Sequence, residues 1–438
     1  MSEQELELPK GWTNSSLDSL SILITKGSTP TTYGYDYLEK GINFVRVENI
    51  IDGQINKNSL KQFISKDAYD YLKRSQLKEN DILFSIAGTI GRTTIVTKED
   101  LPANTNQAIA LIRCPWEYLE TKFIKTILNS PILFNSFSKN RRGVGMDNVG
   151  LGDIKEIIVP LPPLNEQKRI VSKIEELLSK IDSTKQSLEQ TKLQLELYRQ
   201  SLLKSIFEGN DVTKSKKSTI GDISDKIFKG IFDLSPNNYT QIGIPLLRIS
   251  DITQGKLNLS NCKYISKKIH ENNKGTTVTP GNIILAKVGA SAGSPDKIAI
   301  IPIGFETMNI NQNLMGIRLQ KNLCIPKFVY HWLRYQKNMN KLLGKSKTTT
   351  FKSLRNNDLA QLEIFIPTLE EQEQIVSQIE QGFSLIENTQ NIVNSTLQTL
   401  QTMKMSVLKQ AFEGKLVPQD PNDEPAKKLL ERIKKEKS

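Results

Sequence analysis

Two loops rich in Lys and Arg carry the side chains best suited to bind a polyanion. The first spans residues 137–148 and the second residues 344–358, and at an offset of 205 Arg142 meets Lys347. Lys, Arg, Asn and Thr side chains donate hydrogen bonds to phosphates and to base edges. For either loop, a solvated run of charge is the alternative. The candidate DNA-binding residues in these loops are Lys139, Arg141, Arg142, Lys345, Lys347, Lys352 and Arg355.

Shorter repeated motifs supply a second set of candidates. An arginine recurs in the matching segments 41–56 and 243–258, where it would contact DNA or form a structural salt bridge. An Asn-Gln pair recurs in the segments 104–113 and 309–318, and its amides either read adenine or pin a turn. The sequence leaves these alternatives open. The candidates are Arg46, Arg248, Asn106, Gln107, Asn311 and Gln312.

A third feature is a segment rich in tyrosine. Tyr33, Tyr35 and Tyr37 alternate along the chain. Alternation places the three rings on one face of an extended segment. We expect core side chains here, and a DNA-facing stripe is the alternative.

The motifs of several enzyme classes are missing from the sequence. We find no GxxxxGK(S/T) phosphate loop, no GxGxxG after a strand and no Asn/Asp-Pro-Pro-aromatic string of the kind that amino-methyltransferases use. His270 and His331 lie 61 residues apart, and the three cysteines show no CxxC spacing. The sequence therefore predicts a non-catalytic chain, without catalytic residues and without a metal site.

The net charge of +12 is concentrated in one segment. Residues 1–160 carry 19 basic and 19 acidic side chains, whereas residues 218–365 carry 20 basic and 9 acidic side chains. One strongly basic segment favours a polyanionic partner. No signal peptide and no apolar run of membrane-spanning length are evident, and the cysteines fit a reducing compartment. We therefore expect a cytoplasmic protein without a membrane partner.

A long repeat organises the chain and must position these candidates. Residues 162–209 return as residues 367–414 without an insertion, with about twenty identities over 48 positions. Apolar residues at alternating spacings of four and three predict a long helix with a heptad seam in each copy. We expect the two helices to pair with each other; the alternative is that each packs on its own domain. The predicted seam is Ile174, Ile181, Leu188, Leu195, Leu202, Ile379, Ile386, Val393, Leu400 and Val407, and the wider apolar run includes Tyr198 and Met403.

The segments before the two helices also repeat, more loosely, which predicts two tandem mixed α/β domains. Short β-branched runs bounded by Gly, Asn and Asp predict strands, and residues 119–129 and 327–343 predict helices. The chain then divides into a first domain, a first helix, a second domain with a linker at 210–217, a second helix and a tail, with the bounds 1–160, 161–209, 210–365, 366–414 and 415–438.

Four motifs, taken together, are specific to one family. They are PLPPLNEQKRIVSKIE at Pro160–Glu175, IPTLEEQEQIVSQIE at Ile366–Glu380, GTIGR at Gly88–Arg92 and a tail beginning AFEGKLVPQDP at Ala411. Through them the chain resembles, over essentially its full length, the DNA-specificity (S) subunit of Type I restriction-modification enzymes. Two departures are Thr368, where the first copy has Pro163, and the absence of GTIGR from the second half.

The resemblance implies a fold, a task and a set of partners. The domains would be target recognition domains, each reading one half of a split, asymmetric sequence in double-stranded DNA. The helices would form an antiparallel coiled coil that sets the gap between the half-sites. Two methyltransferase (M) subunits and two restriction/motor (R) subunits would bind, partly through the tail. They would carry S-adenosylmethionine, ATP and Mg, so that this chain binds no cofactor.

We therefore expect a DNA sequence-specificity subunit of a Type I restriction-modification complex, which recruits the M and R subunits. The alternative is a coiled-coil scaffold or adaptor protein with a domain that binds nucleic acid non-specifically. Basic loops that diverge in content, on a repeat whose helix length is constant, favour the specificity subunit.

Overall fold

The computed structural model describes residues 8–130, 149–305, 307–335 and 353–437. The chain forms two compact units, one of Met1–Ser187 with Thr396–Ser438 and the other of Leu188–Ser395. Each unit therefore contains one mixed α/β domain and a part of both long helices.

The domain of the first unit is built from small sheets. Its strands are β1 Thr13–Ser16, β2 Leu23–Lys26, β3 Ile42–Val45, β4 Ile50–Ile51, β5 Gln54–Ile55, β6 Phe63–Ile64, β7 Ile82–Ser85, β8 Thr93–Ile95, β9 Ala103–Thr105, β10 Ile109–Arg113 and β11 Ile158–Leu161. Strand β1 pairs with β11, the four-stranded sheet has the order β2-β10-β7-β8, and β4 pairs with β5. The three-stranded sheet has the order β6-β3-β9, in which β3 and β9 run parallel.

The domain of the second unit repeats this topology. Its strands are β12 Lys216–Thr219, β13 Ser224–Lys229, β14 Tyr239–Thr240, β15 Ile244–Leu247, β16 Ile252–Thr253, β17 Lys256–Leu257, β18 Lys263–Ile265, β19 Thr277–Val278, β20 Ile283–Ala286, β21 Ile298–Ile300, β22 Met308–Ile310, β23 Leu314–Leu319 and β24 Glu363–Ile366. The matching pairs are β12 with β24 and β16 with β17, and the matching four-stranded sheet is β13-β23-β20-β21. The sheet β14-β18-β15-β22-β19 contains the parallel pair β15 and β22 and has one extra strand at each edge. The predicted tandem α/β repeat is confirmed.

The described helices are α1 Leu17–Leu20, α2 Lys66–Tyr71, α3 Thr121–Leu128, α4 Leu151–Lys155, α5 Leu164–Phe207, α6 Asn210–Thr213, α7 Lys267–Asn272, α8 Pro326–Arg334, α9 Asn356–Ala360, α10 Leu369–Phe412 and α11 Ala426–Lys437. Helix α3 confirms the helix predicted at 119–129. Helix α8 confirms the start of the one predicted at 327–343, whose residues 336–343 lie outside the described ranges. The long helices α5 and α10 each have 44 residues, equal in length as their sequence repeat requires.

The long helices run antiparallel, as the resemblance implied. In the first unit, Ile170 near the start of α5 shares a buried core with Leu408 near the end of α10. In the second unit, Leu203 near the end of α5 shares a core with Val376 near the start of α10. Both cores also contain the sheets of the adjoining domain, so each helix packs on a domain as well as on the other helix. The sequence left open whether the helices pair with each other or pack on their own domains, and both arrangements occur.

The buried face of each long helix drifts by one residue along its length. Ile174 and Ile379 are buried, but 28 residues later Leu202 and Val407 are only partly buried. The next residues, Leu203 and Leu408, are the buried ones, at 2% and 8% exposure. An α-helix has 3.6 residues per turn, so a strict seven-residue pattern turns away by about 20° per heptad.

This drift corrects part of the sequence prediction. Tyr198 and Met403, which belong to the wider apolar run of the predicted helices, are about half exposed, at 56% and 48%. Of the remaining predicted positions, five are buried and five are partly buried. The buried ones are Ile174, Ile181, Ile379, Ile386 and Val393, and the partly buried ones are Leu188, Leu195, Leu202, Leu400 and Val407.

The two long helices begin differently, which accounts for the Pro163/Thr368 difference. The hydroxyl of Thr368 caps α10 by accepting from the Glu371 amide at 3.3 Å, while the Glu371 carboxylate accepts from the Thr368 amide at 2.8 Å. Proline cannot form this reciprocal cap, because it lacks both the amide hydrogen and the hydroxyl. In the first copy the matching Glu166 is buried instead and accepts from the indole Nε1 of Trp12 at 3.0 Å.

The C-terminal tail folds back within the first unit. The amide of Ala426 donates to the carbonyl of Gly11 at 2.9 Å, and Arg169 pairs with Asp423 at 2.6 Å. The apolar face of α11 is covered, since Leu429 and Ile433 are buried. Any partner that binds the tail must therefore use its polar face, and such docking stays a prediction.

Candidate nucleic-acid interface

In each domain, a parallel strand pair brings two predicted motifs to one sheet edge. Strands β3 and β9 end at Val45 and Thr105, so that Arg46 and the Asn106–Gln107 pair follow them directly. The carbonyl of Val45 accepts from the Thr105 hydroxyl at 3.0 Å, which fixes the two strand ends side by side. In the second domain, β15 and β22 place Arg248 and Asn311–Gln312 in the same way.

The two arginines at these edges differ in their freedom. Arg248 donates from Nε and Nη2 to the buried Asp251 at 3.2 and 3.0 Å, and from Nη2 to the carbonyl of Asn261 at 2.8 Å. Arg46 faces an asparagine at the position of Asp251, pairs with the exposed Glu48 at 3.2 Å and donates from Nη1 to Oε1 of Gln62 at 3.2 Å. Its side chain is 40% exposed, against 25% for Arg248. Arg248 thus has the structural salt bridge, while Arg46 remains accessible to a ligand.

The two Asn-Gln pairs differ in the same direction. In the second domain, the side-chain oxygen of Asn311 accepts from the Asn313 amide at 3.2 Å, and that of Gln312 accepts from the Asp233 amide at 3.1 Å. These two amides pin turns. In the first domain, the side-chain oxygen of Asn106 has no hydrogen-bond partner among the described residues, and Gln107 is exposed.

The edge of the second domain carries two lysines that the sequence analysis missed. Lys229 ends β13, and the next residue, Gly230, lies so close to Asn311 that a Cβ atom there would be 2.0 Å from the Asn311 carbonyl oxygen. Lys287 follows β20, and burial together with the charge of Lys229 lowers the pKa of its ammonium group. Two neighbouring ammonium groups repel each other, and an anion such as a phosphate relieves that repulsion. In the sequence, the high charge of the segment is the signal that could have pointed to these two lysines.

The basic loops singled out by the sequence can be placed only in part. Lys139, Arg141, Arg142, Lys345, Lys347 and Lys352 lie outside the described residues. Arg355 is exposed and precedes α9, and its neighbour Leu354 donates from its amide to the carbonyl of Lys287 at 2.7 Å. Arg355 therefore joins the edge that carries Lys229 and Lys287.

The GTIGR string lies in the turn between β7 and β8, and its arginine has a structural role. Arg92 donates from Nη1 to the carbonyls of Val47 and Ile50 at 3.1 and 3.2 Å. The second half lacks the string, yet Lys297 donates from Nζ to the carbonyls of Ile249 and Ile252 at 3.3 and 2.5 Å. Lys297 thus takes the place of Arg92 in the second domain.

A glutamine of the repeated motif joins each domain to its long helix. The side-chain oxygen of Gln167 accepts from the Glu120 amide at 2.9 Å, and its Nε2 donates to the carbonyl of Pro162 at 2.9 Å. Gln372 accepts from the Ile325 amide at 2.8 Å and donates to the carbonyl of Pro367 at 2.9 Å. Both glutamines are fully buried. The motif thus sets the angle at which each helix leaves its domain.

The described residues offer little for catalysis. Burial raises the pKa of the Cys114 thiol to about 12 and those of Cys262 and Cys324 to about 11, which disfavours the reactive thiolates. Burial, with the nearby charges of Arg334 and Lys327, lowers the pKa of His331 to about 3. Within the described ranges, no group of three or more His, Cys, Asp or Glu side chains is placed to hold a metal ion.

The described part of the chain also contains no helix that is both long enough and apolar enough to span a membrane.

Comparison with known proteins gives one consistent result. The family model for the Type I restriction modification DNA specificity domain matches residues 9–193 and again residues 213–396. The specificity subunit of the Type I restriction enzyme EcoBI of Escherichia coli is 26% identical over an alignment that covers 99% of this chain and 94% of that protein.

Two solved structures share the fold. A chain of a type I R-M system, solved in work on complex assembly and conformational transition, gives a TM-score of 0.74 at 21% identity and covers 93% of this chain and 99% of its own. The HsdS subunit from Thermoanaerobacter tengcongensis gives a TM-score of 0.66 at 21% identity and covers 95% of this chain and 100% of its own.

Proposed function

The chain belongs to the Type I restriction modification DNA specificity family, and on that premise we propose that its two domains each read one half of a split, asymmetric DNA sequence. As a family member, it is a DNA sequence-specificity subunit of a Type I restriction-modification system. The proposal concerns how the task is divided, with residues 1–160 as the first recognition domain and residues 210–365 as the second.

One observation carries the proposal: both domains have the same sheet edge, but the groups that this edge exposes are different. Strand pairs β3–β9 and β15–β22 place an arginine and an Asn-Gln pair at equivalent backbone positions. In the first domain Arg46 is 40% exposed beside Glu48 and Gln62, and Gln107 is exposed. In the second domain the corresponding arginine and amides are bound internally, and the edge carries Lys229 and Lys287 instead. Equal scaffolds with unequal groups fit two different half-sites.

The antiparallel helices would fix the distance between the half-sites. At about 1.5 Å rise per residue, 44 residues extend roughly 66 Å. Recognition elements on one face of B-DNA must lie about 34 Å apart, or a multiple of it. A helix pair of constant length is a suitable spacer, and this accounts for the repeat of 48 positions without an insertion.

The partners and cofactors follow from the same proposal. On the family resemblance, S-adenosylmethionine would be carried by two methyltransferase subunits and ATP with Mg by two motor-nuclease subunits. The absence of the corresponding motifs from this sequence agrees with that division. This chain would then be non-catalytic and act on cytoplasmic DNA. The scaffold alternative is not favoured, since the family match covers both halves of the chain.

The test is a domain exchange read by genome-wide mapping of methylated adenine. Residues 1–160 are replaced by the corresponding domain of a family member with a different known target, and the helices are left unchanged. We expect one half-site to change, while the other half-site and the spacer stay the same. A change in both half-sites, or in neither, contradicts the division of the target.

A further inference from the structure

Three tyrosines of the first domain form a surface, and two of them, Tyr33 and Tyr35, were expected in the core from the sequence. The ring of Tyr71 lies 5.5 Å from that of Tyr33 and 5.5 Å from that of Tyr35, measured between centroids. Tyr33 and Tyr71 are 47% and 59% exposed, so the core prediction is wrong for Tyr33. We call Tyr33, Tyr35 and Tyr71 the tyrosine patch.

The patch is supported by a small buried core. Tyr35, Tyr37 and Tyr69 pack on a small core of Phe44, Ile64 and Ala68. Tyr71 ends helix α2, whose start is capped by Ser65, and Tyr33 ends the 3-10 turn Pro30–Tyr33. Tyrosine has few rotatable bonds, so rings supported in this way lose little conformational entropy when a ligand binds.

The patch shares its supporting core with the strand that ends at the sheet edge described above. Tyr37 packs on Phe44 with 5.3 Å between ring centroids, and Phe44 belongs to strand β3, which leads to Arg46. The charge of Arg46 also acts on the phenol of Tyr37, opposing the burial that raises its pKa. Tyr35 of the patch packs on the same core as Phe44, so this core links the tyrosine patch to the strand that leads to Arg46.

Charge does not explain the patch. Within residues 65–74, Lys66, Lys73 and Arg74 stand against Asp67 and Asp70, and Lys66 is paired with Asp70 at 2.7 Å. The whole first domain has no net charge. Attraction of phosphates is thus weak here, and the exposed ring faces are the main binding resource. Aromatic faces bind through apolar contact with sugars and base edges, including the thymine methyl group.

The second domain lacks this feature at the matching place. Helix α7 starts after Ser266 as α2 starts after Ser65, and where α2 ends in Tyr71, α7 ends in Asn272. Residues 218–365 of that domain have an excess of 11 basic residues, and the domain carries the Lys229–Lys287 pair. The aromatic surface therefore occurs in the half that lacks the electrostatic one.

We propose that the tyrosine patch is a DNA-contacting surface of the first domain, in which the ring faces of Tyr33 and Tyr71 pack against sugars and base edges beside the first half-site. The inference rests on the proposed function. It adds an apolar contact, made by the ring faces, to the polar contact expected of Arg46 in the first half.

The test compares binding of one DNA duplex by the full chain assembled with its M subunits. The duplex carries the target found by methylation mapping, and affinity is measured over a series of salt concentrations. For the double variant Tyr33→Ala/Tyr71→Ala we expect affinity to fall at least about tenfold, as loss of aromatic contacts to nucleic acid does. The slope of log affinity against log salt should not change, because no ionic contact is removed.

Three comparisons make the result decisive. The variant Tyr33→Phe/Tyr71→Phe keeps the ring faces and should bind as the unaltered chain does, and Asn272→Ala, at the matched place, should have no effect. Alanine variants that bind DNA at full affinity overturn the inference, and so do alanine variants that lose the M subunits in gel filtration, since the patch would then be a protein interface. If the unaltered complex itself does not distinguish its target from a duplex with a scrambled first half-site, the proposed function fails instead.

Discussion

The two domains use different residues to hold the same internal contacts. Arg92 in the first domain and Lys297 in the second donate to the two carbonyls that flank a 3-10 turn. The ammonium of Lys125 donates to the carbonyl of Gly53 at 3.0 Å, and the hydroxyl of Tyr330 donates to that of Gly255 at 2.9 Å. What persists between the halves is a donor at a given point in space, whereas the residue type has changed.

At another buried position the two domains differ in charge. The buried Asp81 forms two hydrogen bonds with Arg113 at 2.7 and 2.6 Å, while the matching positions in the second domain hold Asn282 and Arg318. Arg318 donates to the carbonyl of Thr277 at 3.4 Å. Because Asn282 stands where the first domain has Asp81, no carboxylate at that position balances the charge of Arg318. Changes of this kind turn a neutral domain into a basic one without altering the fold. Conserved donors inside the domain are what allow its surface to vary.

The largest expected effect comes from making the first domain resemble the second at the Asp81–Arg113 pair. Asp81→Asn keeps the side-chain size but removes the carboxylate that Arg113 binds at 2.6 Å in a buried place. We expect the first unit to lose about 3–5 kcal/mol of unfolding free energy, as removal of one partner of a buried ion pair does. Chemical denaturation with hydrogen exchange assigned to each unit measures this.

The matched control for that substitution is Asn282→Ala. Asn282 accepts from the Thr279 amide at 3.2 Å, and loss of this neutral hydrogen bond should cost only about 1 kcal/mol in the second unit. Equal losses for the two variants would show that the pair adds nothing beyond a neutral hydrogen bond, and that the two halves do not differ in the way described.

The next effect in size concerns the glutamines that join each domain to its long helix. Gln167→Ala and Gln372→Ala each leave a buried amide and a buried carbonyl without their partner, which should cost about 2–3 kcal/mol in either half. The amides of Glu120 and Ile325 should also exchange faster with solvent. Gln381→Ala, on the exposed side of α10, serves as the control and should be neutral. A large loss in one half only would break the equivalence of the two junctions.

The sequence predicts the elements of the fold but not the contacts between residues that are distant along the chain. The repeat at constant offset predicted the tandem domains and two long helices of equal length, because regular periodicity reflects local geometry. The drift from Leu202 to Leu203 was missed because a straight helix departs from a seven-residue pattern. Lys297 and the Lys229–Lys287 pair were missed because their neighbours are distant in sequence and only the fold brings them together. Tyr33 was misplaced for a related reason, since alternation indicates a common face without showing what covers it.

The smallest of the expected effects is also the finest test of the comparison between the halves. If Arg92 and Lys297 do the same task, Arg92→Lys should cost the first unit less than about 1 kcal/mol, whereas Arg92→Ala should cost about 2 kcal/mol, because two hydrogen bonds from a charged donor are lost. Lys297→Arg and Lys297→Ala should give the same ranking in the second unit, measured by denaturation. A lysine at position 92 that is as damaging as alanine would mean that the turn after β3 depends on the planar guanidinium. The two cations would then not be interchangeable, and the donor's residue type would matter as well as its position.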